Sequence, residues 1–159
     1  MTVAESQLIA QLLDAGAARA DVRLGIGDDA AVLAPPPGYE LILTTDALVE
    51  GAHFLPDAPP RSLGHRAMAV NLSDIAAMGA APAWALLSLV LPQADTAWLA
   101  EFTQGFGALA RQHDVALVGG NLARGPLSIT VQLAGLIPAG AALRRAGASP
   151  GDLLYVSGT

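Results

Sequence analysis

From Ser6 to Ala15, Leu8, Ile9, Leu12 and Leu13 recur at the steps of one helical face, with Ser6 placed as an N-cap, and predict a short amphipathic helix. Ala30–Ala34 and Glu40–Thr45 are apolar runs of strand length on either side of Pro35-Pro36-Pro37-Gly38, which predicts two strands joined as a hairpin or meander. Between Pro60 and Gly79 the stripe Met68, Leu72 and Ile75 predicts a second helix with Gly79 as its C-cap. Pro82–Leu91 reads as a strand. Asp95 then caps a third helix over Thr96–His113, whose Trp98, Leu99, Phe102, Phe106 and Leu109 form a wide apolar stripe. Val115–Val118, Ser128–Ile137 and Leu153–Val156 read as strands, with Gly119-Gly120-Asn121 as the turn after the first of them. The order α-β-β-α-β-α-β-β-β predicts an α/β fold of the α+β sandwich kind, a mixed sheet with helices on one face.

Composition narrows what such a fold can do. The 159 residues carry 8 basic and 14 acidic side chains, a net charge of −6, and every basic residue is arginine. Without lysine there is no P-loop lysine and no Schiff base; without cysteine there is no disulfide, thiol nucleophile or cysteine zinc site. An acidic balance argues against a nucleic-acid partner, which needs clustered positive charge. The uncharged runs Ile75–Ala94 and Gly125–Leu143 are broken by Gly and Pro into pieces of buried-strand length, so no membrane span is expected. Met1–Glu5 lacks the basic start of a secretory signal, and a cytoplasmic protein is expected. With 53% hydrophobic residues, a single domain can bury a substantial, mostly aliphatic core.

The candidate chemistry is carboxylate chemistry. Asp28 and Asp29 lie in Gly25-Ile26-Gly27-Asp28-Asp29, Asp46 follows Thr44 and Thr45 at a strand end, and Asp74 lies three residues after Asn71 on a helix. Ala67 and Ala77 continue that helical face and leave room for a ligand. Each Asp alone is an ordinary turn former or cap. Their convergence in a sparsely charged chain would require a cation, and oxygen-only donors favour Mg²⁺. His53, the Gly119-Gly120 pair and Arg144-Arg145 are weaker candidates for ligand contact, each competing with an ordinary loop role.

Gly25–Val32 (GIGDDAAV), Thr44–Phe54 (TTDALVEGAHF), Ala69–Gly79 (AVNLSDIAAMG), Gly119–Thr130 (GGNLARGPLSIT) and Arg145–Thr159 (RAGASPGDLLYVSGT) follow one another in an order that resembles the N-terminal half of bacterial thiamine-monophosphate kinases. These are relatives of aminoimidazole ribonucleotide synthetase, and the TTD and GAHF segments point to the thiamine enzymes within that group. The resemblance implies Mg²⁺-dependent transfer of a phosphoryl group from ATP to thiamine monophosphate, giving thiamine diphosphate. It implies the N-terminal domain of that superfamily fold, with its sheet pairing into a barrel-like homodimer. Carried over, Asp29, Thr44, Thr45, Asp46 and Asp74 match Mg²⁺ ligands, Gly120 and Arg145 match nucleotide contacts, and His53 matches a contact to the thiamine substrate. Asp28 is the other member of its acidic pair.

Two departures stand out. Asn121 occupies the place of a metal-ligating Asp in the family's GGD motif; its carbonyl oxygen can still coordinate but brings no charge, so it is kept among the expected metal ligands and nucleotide contacts with weaker metal binding expected. The family also continues into a C-terminal domain beyond residue 159, so residues 1–159 form one ATP- and Mg²⁺-binding dimerisation domain expected to have little or no activity alone. The alternatives are a non-catalytic dimerisation or metal-binding module, favoured by Asn121, and a kinase for another relative's substrate, opposed by the GAHF segment.

Overall fold

The computed structural model describes residues 5–13 and 15–156. Its elements in chain order are α1 (Glu5–Leu12), β1 (Val22–Leu24), β2 (Val32–Leu33), β3 (Tyr39–Val49), α2 (Pro60–Ala77), β4 (Ala81–Leu91), α3 (Thr96–Gln112), β5 (Ala116–Arg124) and β6 (Ser128–Pro138). Four strands form one sheet in the order β3-β6-β4-β5, in which β6 is antiparallel to both neighbours while β4 and β5 run parallel. Parallel neighbours need a crossover, and α3 supplies it between β4 and β5. Because β6 separates β3 from β4 and opposes both, those two strands also run the same way, and α2 connects them.

One face of the sheet is dry. Ala85, Leu87, Leu89, Leu117, Ile129, Val131 and Leu133 pack there with Leu63, Met68 and Ile75 of α2 and Leu99, Phe102 and Phe106 of α3. Alternation puts Leu41, Leu43, Thr45, Leu86 and Gln132 on the opposite face, where they are exposed or partly so. Helices thus cover one face, as the periodicity predicts. The two helices touch through glycine: a methyl group on Gly64 would collide with the Phe102 carbonyl oxygen, and one on Gly105 with that of Arg61. Asp95 caps α3, accepting from the N–H groups of Ala97 and Trp98 at 3.0 Å.

Several expected elements differ. Ser6 lies inside α1 rather than at its cap, Met78 is the C-cap of α2, and Gly79 follows it with φ 73°. The strands flanking Pro35–Gly38 do not pair with each other: β2 joins β1 in a separate two-stranded ribbon, and β3 joins β6. Gly119-Gly120-Asn121 is no turn, because β5 runs on through it after a bulge that leaves Val118 without a partner in β4. Gly120 is needed where it passes β4, since any Cβ would meet the Leu87 carbonyl oxygen. Leu153–Val156 forms no strand and stands exposed, and the small-residue end after it lies outside the described residues.

The ribbon lies across one end of the open sheet face, where Val22, Ala31 and Leu33 pack on Trp84, Ala116 and Val118. Arg19 fixes its base. Its guanidinium donates to both carboxylate oxygens of Asp21 (3.0 and 2.7 Å) and to the backbone oxygen and carboxylate of Asp114 (2.8 Å each), and it lies 5.8 Å from the centre of the Trp84 ring. Trp84 donates its indole N–H to Asp21 at 3.0 Å. Arg19 therefore holds the Asp21 carboxyl below its usual range, with the indole acting the same way against the opposing effect of desolvation.

The glycine contact between α2 and α3 gives a direct test. Gly105→Ala gains about 1 kcal/mol of helix propensity but forces backbone apart, so a net loss of about 1–3 kcal/mol is expected from overpacking. Denaturant midpoints measure it, and an unchanged midpoint would mean that the helices can separate without loss.

Candidate functional site

β3 carries the polar pair Thr44 and Thr45 and then Asp46, and strand alternation sends them to opposite faces. Thr44 and Asp46 rise on the helix side, and the Thr44 hydroxyl donates to the Asp74 carboxylate of α2 at 2.7 Å. Thr45 turns to the open face and donates to the Val131 carbonyl oxygen at 3.1 Å. The predicted ligands therefore form two sets on the two sides of an edge strand.

The first set lines a cavity of about 1350 Å³ on the open face. Asp28 and Asp29 reach it from the loop between β1 and β2, Gly120 and Asn121 from β5, and Thr44 and Thr45 from β3. The second set lines a cleft of about 380 Å³ beside the C-terminal end of α2, where Thr44 and Asp74 share the wall with Leu143, Arg144 and Arg145. Leu43 and Thr44 line both. Asp46 lines neither cavity.

Asn71 and Ala67 do not make room for a ligand. Both are buried, and the Asn71 amide N–H donates to the Ala67 carbonyl oxygen at 3.0 Å. Only the Ala77 end of that helical face is open, within the smaller cleft. Expected convergence of the four aspartates is likewise not met: among the described residues no group of three or more acidic, His or Cys side chains is arranged to hold a metal. The donors still suit Mg²⁺, which dehydrates reluctantly and is commonly held by one or two carboxylates with waters and substrate phosphates completing the shell. The exposed Asp74 carboxylate with the Thr44 hydroxyl could supply part of such a shell.

His53 lies in an exposed turn after β3 and lines neither cavity. Its Nδ1 accepts from the Val49 N–H at 3.1 Å, which puts the proton of the neutral ring on Nε2. Arg66 donates to the His53 carbonyl oxygen at 2.7 Å and holds the turn against α2. Sequence reasoning overlooked the Arg19–Asp21–Trp84–Asp114 node. Its partners are up to 95 residues apart and leave no local signal.

Residues 27–137, most of the chain, match the family model described as AIR synthase related protein, N-terminal domain. The chain belongs to this family. Among curated proteins the AIR synthase related chain is 51% identical to the thiamine-monophosphate kinase of Salmonella typhimurium strain LT2, over 100% of this chain and 49% of that protein. A crystal structure of thiamine-monophosphate kinase from Stenotrophomonas maltophilia K279a superposes with a TM-score of 0.81 at 47% identity, covering 96% of this chain and 48% of that one. The structure "AaThiL complexed with AMPPCP and TMP" superposes with a TM-score of 0.67 at 36% identity, covering 78% of this chain and 40% of that one. The chain thus spans about half the length of the relatives it matches. No described helix is long and apolar enough to cross a membrane.

Asp74 is exposed and its carboxylate accepts from the Thr44 hydroxyl, so its side chain does not serve the core. Asp74→Asn keeps an acceptor for Thr44 and should change stability by less than about 0.5 kcal/mol, as surface substitutions usually do. A denaturant midpoint showing a much larger loss would make Asp74 a structural group.

Proposed function

We propose that this domain is the N-terminal half of a kinase that transfers the γ-phosphoryl group of ATP, with Mg²⁺, directly onto the phosphate of thiamine monophosphate to give thiamine diphosphate. The observation that carries the reading is the cleft in which Thr44 and Asp74 face Arg144 and Arg145, in a chain about half identical along its whole length to a relative of that name. Relatives that bind other phosphorylated acceptors would need the same cation handling, so the acceptor is read from the relatives' names and the charge handling from this chain.

An attacking phosphate is already anionic near neutral pH, with a second pKa of about 6, so the site needs no strong base. The obstacle is repulsion between two polyanions. Mg²⁺ bound to the carboxylates would supply charge neutralisation on the phosphate oxygens and hold them for in-line displacement. Asp29, Thr44, Thr45, Asp46 and Asp74 are assigned to metal ligation, with Asp28 beside them and Asn121 contributing a neutral oxygen. Arg145 is assigned to the nucleotide phosphates, where a planar guanidinium can engage two oxygens at once. Gly120 is assigned to the nucleotide because it presents backbone unscreened by a side chain, and His53 to the thiamine substrate.

A homodimer fits the open face. Leu41, Leu43 and Leu86 are exposed there, and among the described residues the outer edge of β3 has no strand partner. Pairing of two such sheets would place the two donor sets, which meet around that edge, inside a covered site. The cysteine-free composition fits a cytoplasmic setting. Asn121 supports the alternative of a non-catalytic module, but such a module has no use for the retained acidic loop and the Thr44–Asp74 pair.

Mass spectra of the full-length gene product incubated with ATP, Mg²⁺ and thiamine monophosphate should show thiamine diphosphate, while the 159-residue chain alone gives little or none. No product, or phosphorylation only of another acceptor, would overturn the proposal. Asn121→Asp in the full-length protein should tighten Mg²⁺ binding in calorimetry, because a carboxylate replaces a neutral oxygen; unchanged affinity would place residue 121 outside the metal shell.

A further inference from the structure

The loop carrying Asp28 and Asp29 is anchored at its flanks, Ile26 against the main core and Ala31 against the Trp84 cluster, and exposed at its tip. Gly27 to Ala30 are exposed, Gly27 has φ 124°, and the Asp29 N–H donates to the adjacent Asp28 carboxylate at 2.8 Å. The ribbon beneath it has strands of three and two residues, too short to be stable alone. With these two apolar anchors in place, the ribbon's base sets how the strands that carry the loop lie on the sheet. Asp21 is that base: its backbone oxygen accepts from the Ala34 N–H at 2.8 Å, closing the ribbon, while its carboxylate takes bonds from Arg19 and Trp84.

Arg19 ties this base to Asp114, in the turn that leads into β5. Its side chain is only 14% exposed, and it bonds both the carbonyl oxygen and the carboxylate of Asp114. Asp114 has φ 55°, a left-handed conformation that residues other than Gly, Asn and Asp seldom take, and it stands just before β5. The same strand carries Gly120 and Asn121. One planar guanidinium, together with the apolar contacts of Val22, Ala31 and Leu33, thus sets the ribbon against β5 and with it the spacing between Asp28–Asp29 and Gly120–Asn121.

We infer that Arg19 is a positioning residue: by joining Asp21 to Asp114 it holds the Asp28–Asp29 loop in register with the Gly120–Asn121 wall of the cavity. What the loop then binds rests on the function proposed above; the positioning itself does not. Lysine cannot replace this role, because a single ammonium lacks the forked geometry that engages two carboxylates at once.

Hydrogen exchange on the 159-residue chain, read by mass spectrometry, tests the inference. Arg19→Ala should speed exchange of the hydrogen-bonded ribbon amides, that of Ala34 on the Asp21 carbonyl above all, by roughly tenfold or more while α3 and β6 keep their protection, since local opening is separable from global unfolding. Arg19→Lys should recover only part of it. Trp84→Phe keeps a ring in the satellite core, removes one bond to Asp21, and should give a smaller rise confined to the same amides, which decides the matter if Arg19→Ala does not fold. Unchanged exchange of the ribbon amides, or loss of protection spread evenly over the chain, would overturn the inference. Calorimetry of the wild-type full-length protein with Mg²⁺ and a non-hydrolysable ATP analogue separates the two claims. Absence of binding there would count against the nucleotide site, and the exchange pattern would still decide the role of Arg19.

Discussion

A strand with neighbours on both sides must have every backbone group matched along its length, and β6 meets that demand over eleven residues against β3 and most of them against β4. Much follows from its central place. Because β6 opposes both neighbours, β3 and β4 run alike, and the chain between them must cross from one end of the sheet to the other. α2 is that crossing, and it lies on the face where Leu133 and Val131 need cover. Its C-terminal turns consequently pass over β3, bringing Asp74 to Thr44. The polar pair is a product of sheet order, and the dry packing of Met68 and Ile75 on the same helix keeps it there.

The same geometry explains why the acidic residues do not merge into one cluster. Thr44 and Thr45 are adjacent in the chain yet face opposite sides of a strand, so any ligand set that includes both is divided unless something bridges the edge. A cation with phosphate ligands of its own can do that, because it asks each protein group for one oxygen and takes the rest from substrate and water. A lysine-free chain has no flexible ammonium to reach across instead. Of its arginines, Arg19 is fixed at the ribbon base by two carboxylates, and Arg145 stands exposed in the wall of the smaller cleft.

How far the sequence disclosed this depends on length and range. The helices of 17 and 18 residues and the strands β4 and β6 repeat their apolar positions often enough for periodicity to show, and the Asp95 cap needs only its near neighbours. The ribbon strands are too short for any period, so Val22–Leu24 passed unseen and Ala30–Ala34 was assigned to the wrong partner. A proline-rich turn signals a change of direction and says nothing about which strands pair across it. Gly119-Gly120 resembles a turn because glycine is common there, whereas here it allows two strands to approach. In the candidate site the residue types were legible and their sides were not: Asn71 and Asp74 share a helical face nominally, yet one is sealed in the core and the other faces the cleft.

The outer edge of β3 carries this reasoning one step further. Long exposed edges are normally blunted by lysine, proline, a bulge or a covering element, since their free N–H and C=O groups invite pairing with other chains. β3 contains neither lysine nor proline, pairs with β6 in unbroken register, and exposes Leu41 and Leu43 on the open face. An edge of this kind is a liability in isolation and an asset in an assembly. Since Leu43 and Thr44 also line both cavities, whatever covers the edge would at the same time close the gap between the two donor sets. Dimerisation and ligand binding, proposed separately above, would then rest on the same few residues of one strand.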